Sequence, residues 1–333
     1  MKSSYSLFLM FFLWTATYSS KAFSFPFTRL GLAAFEFSSG CRHISPYNRV
    51  LTDPRRAYAV FSHGGWDDPD VVKPLSHTTA LPSHYDHRPE DYDIFNEQNS
   101  QGMNNRIVEL LQTYYPDCQS ILDVTCGTGS QVFSLTNRGY EVTGSDISEK
   151  MLEIARKKAK TRFPVLLNRL HLADMRTVRL GRFDAAISMF NAVGHLTKED
   201  FEQAMRNIGS NLNKKGIYIF DIFSADYLRY GSNISKLTID FIKTKNENTL
   251  REIQYSDIDK GGVLASYTIR YQTDSLGRHT ISRDTQTLQV YTTDELIDML
   301  HRSGFETLEQ CGIDGEKIST TGTERIFTIA KLK

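Results

Sequence analysis

The decapeptide ILDVTCGTGS, residues 121–130, constrains this chain more than any other stretch. An apolar run climbs to an acid, Asp123, and then breaks into small residues with glycines at 127 and 129. Followed by a helical pattern, such a run reads as a buried strand turning sharply into a helix. That turn lets backbone N–H groups and the positive helix end meet an anionic or polar ligand. A bare structural bend would use the same glycines, so the turn needs context before it means a site.

Context comes from the alternation that follows. Residues 120–124 read as a strand, 131–138 as a short helix closed by Gly139, and 141–145 as a second strand. Residues 148–160 place Met151, Leu152, Ala155 and Ala159 on one helical face. Strands are expected at 166–173, 183–190 and 216–223, with a helix from Thr197 whose Asp200 sits where a capping box has its acid. Strands alternating with helices predict an α/β fold built on a doubly wound, mainly parallel sheet. From 236 to 290 the pattern changes to β-segments separated by the turns DKGG and SLGR, an inserted small antiparallel layer. A helix from Thr292, with Glu295 completing a capping box, and strands at 305–311 and 325–332 close the chain.

The second strand ends in GSDIS, with Asp146 placed 17 residues beyond Gly129, where an acid can accept both hydroxyls of a ribose. A dinucleotide fingerprint wants a third glycine, and Val132 stands there instead. Taken together, LDVTCGTG, GSDISEKML, LADMRTV, FDAAISMFNAVGHL and YTTDELIDMLHRSGF resemble, in order, the motifs of class I S-adenosylmethionine-dependent methyltransferases. The resemblance covers residues 81–333 and implies a seven-stranded Rossmann-like methyltransferase sheet carrying the β insertion at 236–290. Thr125 departs from it, standing where the commoner pattern has glycine.

The resemblance also implies roles. Gly127, Gly129 and the backbone at Thr125 would face the methionyl part of S-adenosylmethionine, and Asp123 would orient the loop and the ligand's ammonium. Asp146 would hold the ribose, Ile147 would pack on the adenine, and Asp174 would accept from the adenine amine with Met175 alongside. Asn191, in the loop after the fourth strand, is taken as a further cofactor-side residue. An N-terminal helix with Tyr-Asp pairs would fold over the pocket, which brings in Tyr85 and Tyr92. Tyr85 is placed with the cofactor. Tyr92 joins His195 as a candidate at the reacting centre, His195 as a base in the loop where the sheet opens.

The activity this implies is methyl transfer to a nitrogen or oxygen of a small molecule, in the manner of sugar and glycine-type N-methyltransferases. An NAD(P)-dependent oxidoreductase is the alternative from another class, and a methyltransferase of nucleic acid or protein is the third. Basic and acidic residues balance at 39 each, so no charge excess advertises nucleic acid. The four cysteines are scattered with no C-x-x-C pair, and no metal site is expected. Dimerisation through the β insertion is expected.

The first 80 residues read as a leader. Residues 1–22 carry Lys2, an apolar run too short to span a bilayer comfortably, and a small-x-small site, the pattern of a signal peptide. Residues 23–65 hold five arginines against two acids, a transit-peptide composition that extends the leader to residue 80. In series the two resemble the bipartite leaders of plastids bounded by extra membranes. An organellar destination is expected, or the cytoplasm if translation begins further downstream. Once the leader is removed, no stable membrane span is expected.

Overall fold

The computed structural model describes residues 58–61, 76–82, 89–245 and 248–333. The chain divides into two compact units. The larger contains a seven-stranded sheet, and its strands follow the sequence pattern closely. They are β2 (Ser120–Asp123), β3 (Glu141–Asp146), β4 (Leu170–Leu172), β5 (Phe183–Ser188), β6 (Leu212–Phe223), β11 (Phe305–Cys311) and β12 (Arg325–Leu332). Their spatial order is β4-β3-β2-β5-β6-β12-β11. From β4 to β6 neighbouring strands are parallel, while β12 enters antiparallel to both β6 and β11. The chain works outward from β2 to β4 and then returns to lay β5 on the other side of β2. That reversal opens a crevice beyond the carboxyl ends of β2 and β5, the place where such sheets bind ligands.

Helices cover both faces. On one lie α1 (Pro89–Tyr114), α2 (Ser130–Asn137) and α3 (Glu149–Arg162). Met103, Ile107, Leu135 and Leu152 from them pack with Ile121, Ile187, Ile219 and Phe327 of the sheet. On the other lie α4 (Lys198–Ser210) and α5 (Thr293–Arg302), whose Phe201, Ile208, Leu296 and Leu300 meet Leu122, Ala186, Phe220 and Ile326. Odd and even strand residues thus serve opposite layers, which is why β6 is buried at every position from 216 to 223. Phe201 meets Phe220 edge-on at 5.4 Å, a geometry worth about 0.5–1.5 kcal/mol beyond the area buried.

The helix ends show local sequence at work. Ser148 caps α3 by accepting from the Met151 N–H, Thr197 caps α4 through Asp200, and Thr292 with Glu295 forms the complete capping box of α5. Two expectations shift. The strand foreseen at 166–173 is only Leu170–Leu172, because Pro164 opens a 3-10 turn, Pro164–Arg169. The strand foreseen from 216 begins at Leu212, with Lys215 in the left-handed region at φ 66° and a register shift opposite it in β5.

The smaller unit contains most of a five-stranded sheet of order β1-β7-β8-β9-β10. Its strands are β1 (Tyr58–Phe61), β7 (Leu237–Lys245), β8 (Asn248–Ile258), β9 (Val263–Thr273) and β10 (His279–Gln289). The insertion is therefore present, with one strand more than its own residues supply. Tyr58–Phe61, inside the segment read as a leader, pairs antiparallel with residues 237–240 of β7. The rest of the leader-like sequence before residue 76 lies outside the described residues. Residues 76–80 belong to the larger unit. Among the described residues no helix is long and apolar enough to cross a membrane.

Candidate cofactor and acceptor site

Two carboxylates fix the turn that leaves β2. Asp123 accepts the Thr125 N–H on Oδ1 at 3.1 Å, an Asx turn that starts the loop. Asp146, the last residue of β3, accepts the Gly127 N–H on Oδ2 at 2.8 Å and the Ser148 N–H on Oδ1 at 2.9 Å. Gly127 and Gly129 take φ of 51° and 94°, so both sit in the region that glycine enters at no steric cost. At Gly129 any Cβ would also come within 2.5 Å of the Phe133 ring. Gly129 is the N-cap of α2 and offers no side-chain cap, which leaves the first N–H groups of that helix to other partners.

Burial makes the carboxylates unusual. Asp123 is 1% exposed, and its Oδ2 is buried with no hydrogen-bond partner. Burial pushes its carboxyl up to about 8, the Thr125 bond pulls the other way, and the neighbouring Asp146 charge adds to the rise. Asp146 is raised too, again by burial, although main-chain donors at Ser148, Gly127 and Ile147 oppose the shift. A cationic ligand at Asp123 would supply the missing donor and the missing charge at once. The two Asp146 oxygens offer about four lone-pair sites, and the three main-chain donors leave one of them open to a ribose hydroxyl. The residues present therefore fit an adenosyl amino acid. Ile147 beside them is half-buried.

The end of β4 is arranged differently from what the motif alone implies. Asp174 is held by Arg176, whose main-chain N–H and Nε bond Oδ1 and whose Nη2 bonds Oδ2 at 2.6 Å. Burial opposes ionisation of Asp174, yet the Arg176 bonds and charge keep its carboxyl below the usual range. Arg176 Nη1 also reaches Asp200 of α4 at 2.8 Å. An adenine amine would meet oxygens already bonded, so Asp174 orders the loop as well as presenting an acceptor. Met175 is buried in the core, with its carbonyl taken by Asn207.

The loop after β5 is strained. Phe190 and Asn191 lie consecutively at φ 63° and 58°, a left-handed conformation uncommon outside glycine. Both main-chain N–H groups are taken by Asp221 of β6, Phe190 by Oδ1 at 2.6 Å and Asn191 by Oδ2 at 3.3 Å. Asp221 is in turn paired with Arg325 of β12, both of them buried. The Asn191 side chain is fully buried, and neither of its amide atoms has a partner. His195 ends the 3-10 turn Ala192–His195 and is half-buried. Thr125 Oγ1 lies 3.1 Å from Ser188 Oγ, which joins the β2 and β5 loops.

A short strap binds that loop from outside. Ala80 N–H donates to the His195 carbonyl at 2.8 Å. His77 Nε2 lies 3.0 Å from the Leu196 carbonyl, to which it donates, and Nδ1 lies 2.9 Å from Thr287 Oγ1. Burial lowers the His77 pKa, with the Leu196 bond opposing the shift. Thr79 Oγ1 accepts from Thr197 N–H at 3.1 Å and donates to Asp200.

The structure thus gathers Asp123, Thr125, Gly127, Gly129, Asp146 and Ile147 around one turn, with Asn191 and His195 on the adjoining loop. Tyr85 lies outside the described residues, and Tyr92 lies in α1 with its side chain outside them. Among the described residues there is no cluster of metal-ligating side chains. Sequence reading missed His77, Thr79, Asp221 and Arg325. Asp221 had a signal, a lone acid in the apolar run GIYIFDIF, and that signal was open to the same reading as Asp123 in ILD.

A sheet of this order, with a glycine turn after β2 and an acid closing β3, defines the class I methyltransferase fold. Residues 121–216 match a family model described as a methyltransferase domain. Over 117 residues the chain is 38% identical to the dTDP-3-amino-3,4,6-trideoxy-alpha-D-glucopyranose N,N-dimethyltransferase of Streptomyces venezuelae, covering 34% of this chain and 47% of that enzyme. It is 29% identical over 126 residues to the glycine N-methyltransferase of Homo sapiens, covering 33% of this chain and 43% of that one. In both, the match spans less than half of the relative's own length. An S-adenosylmethionine-dependent methyltransferase from Clostridium acetobutylicum shares the fold with a TM-score of 0.59 and 19% identity, over 75% of this chain and 99% of that one. Residues 121–216 thus match a methyltransferase domain, and the larger unit has the fold of class I methyltransferases.

Proposed function

We propose that this protein moves a methyl group from S-adenosylmethionine to a nitrogen or oxygen of a small molecule. The observation that carries the reading is Asp123, a buried carboxyl with one oxygen left without a donor beside a glycine turn. When bound, S-adenosylmethionine supplies an electrophilic methyl group on a sulfonium. The protein's own contribution is alignment and exclusion of water. Asp123 holds the ammonium, Asp146 the ribose, and the left-handed Gly127 and Gly129 let the backbone approach closely. His195 receives the proton that the attacking group sheds.

The amino-sugar enzyme among the relatives supports an amine as the acceptor. The absent third glycine, with Val132 in its place, speaks against a nicotinamide dinucleotide. Calorimetry on the full chain tests the reading: S-adenosylmethionine and S-adenosylhomocysteine should bind without added metal. Tight NADH binding with no response to either adenosyl ligand would overturn it. Labelled methyl transfer into cell extracts would then identify the acceptor.

The leader-like sequence supports an organellar address, which a fusion of residues 1–57 to a fluorescent protein would test in a host with such plastids. Dimerisation through the β insertion is tested by light scattering on the chain with and without residues 236–290.

A further inference from the structure

The strained loop after β5 is costly, and what holds it is a buried ion pair. Two consecutive non-glycine residues in the left-handed region persist only where their surroundings over-determine them, and such strain gathers at ligand sites. Here each oxygen of Asp221 takes one of the two strained N–H groups, and Arg325 neutralises the carboxylate from the next strand. Asn191 is an unexplained feature of the same loop, since its amide is fully buried with both polar atoms unpartnered. A buried orphan amide is disfavoured unless something outside the protein satisfies it. Asp123 Oδ2 is a second orphan on the neighbouring strand, where Asp123 pairs with Ile187, four residues before Asn191. An α-amino acid end presents an ammonium and a carboxylate, which match a carboxylate oxygen and an amide N–H respectively.

We propose that Asn191 binds the carboxylate of the cofactor's amino-acid end, and that Asp221 and Arg325 are positioning residues that hold it there. The proposal rests on the reading that the protein binds S-adenosylmethionine. It makes the loop after β5 a recognition element for the amino-acid half of the cofactor, alongside Asp146 at the adenosine half.

Two probes separate the halves. S-adenosylhomocysteine carries the amino-acid end, and 5′-deoxy-5′-methylthioadenosine has the same adenosine without it. Calorimetry on the full chain measures both for wild type, Asn191→Ala and Asp221→Asn. Both substitutions should weaken S-adenosylhomocysteine about tenfold while leaving methylthioadenosine within about twofold, because only the first ligand reaches the loop. Asp221→Asn leaves Arg325 buried beside a neutral partner and is the variant at risk of misfolding, so Asn191→Ala, with the ion pair intact, carries the recognition half by itself. Adding Phe190→Gly to Asp221→Asn should restore the affinity ratio toward wild type, since glycine takes the left-handed conformation without a tether. Equal weakening of both ligands by folded Asn191→Ala, or no weakening of either, would overturn the assignment of Asn191. A ratio that Asp221→Asn leaves unchanged, or that Phe190→Gly fails to recover, would overturn the positioning role. Failure of the wild-type chain to bind either probe would instead sink the cofactor reading itself.

Discussion

Asp146 Oδ2 accepts the main-chain N–H of Gly127 at 2.8 Å, so the acid that ends one strand fixes the turn that follows its neighbour. The same carboxylate would bind ribose, and one substitution therefore removes both a ligand contact and the shape of the loop. Asp146→Ala should weaken S-adenosylhomocysteine by roughly 1.5–3 kcal/mol, the range for hydrogen bonds to a charged group. Methylthioadenosine should weaken equally, because it keeps the ribose. Calorimetry with both ligands checks this, and unchanged affinity for either would remove Asp146 from the ribose site.

Asp123 gives the site a pH dependence whose sign follows from its burial. Its folded pKa, about 8, lies above the ordinary value of about 3.9, so the free protein holds a proton there that the unfolded chain releases. Ionisation of Asp123 therefore takes stability away as pH rises through that window, and none of this cost is felt below about 4. A bound ammonium reverses the preference and favours the carboxylate. Affinity for S-adenosylhomocysteine should then rise between about pH 6 and 7.5, by at most tenfold per unit, with release of a proton. The trend should flatten above about pH 8, where Asp123 is already ionised in the free protein. Asp123→Asn should bind weakly with a flat profile, and calorimetry in buffers of different ionisation enthalpy reads the proton directly. A wild-type profile as flat as the variant's would show that Asp123 does not meet the ammonium.

His195 sits at the end of a turn whose position is set by its backbone, since its carbonyl takes the Ala80 N–H. The imidazole is not part of that main-chain bond, which a replacement therefore keeps. His195→Ala should keep S-adenosylhomocysteine affinity within about twofold and lower turnover at saturating cofactor by roughly 10²-fold or more, the usual scale for a general base. Labelled methyl transfer to the acceptor recovered from extracts measures it. Undiminished turnover would leave His195 a structural residue.

How much of this was legible in the sequence depended on how far apart the partners lie. Asp123 with Thr125, Ser148 with Met151 and Thr292 with Glu295 are neighbours, and their residue types alone announce the turn or cap they make. The doubly wound, mainly parallel sheet could be read because alternating strands and helices leave few topologies open. Asp221 and Arg325 are 104 residues apart, and nothing in a phenylalanine marks position 190 as left-handed. That conformation is imposed by the buried carboxylate beneath it. Tyr58–Phe61 has no patterning to set it apart from the leader-like sequence around it, and its partner in β7 lies far along the chain. Arg176 is close to Asp174 in sequence, but a resemblance that assigns the acid to a ligand draws attention away from the guanidinium beside it.

The strap at residues 76–80 fixes where the larger unit can be cut. The sequence placed the start of the enzyme domain at residue 81, yet Ala80, Thr79 and His77 together bond His195, Leu196, Thr197, Asp200 and Thr287. Through Asp200 the strap also meets Arg176 and hence the loop of Asp174. Chains beginning at residue 76 and at residue 81 both lack β1, so their difference isolates the strap. Each hydrogen bond contributes about 0.5–1.5 kcal/mol, and the strap's loss should cost roughly 2–4 kcal/mol of stability. Thermal and urea unfolding should show the shorter chain melting several degrees lower, with the chain from residue 76 close to the full-length protein. Thr79→Ala in the longer chain should reproduce part of that loss, because Asp200 then loses one of its two partners and Thr197 N–H its acceptor. Hydrogen exchange at 192–200 should quicken in the shorter chain while the turn at 123–129 is unchanged. If both truncations unfold alike and exchange alike, residues 76–80 are a passive tail, and the domain begins where the sequence first placed it.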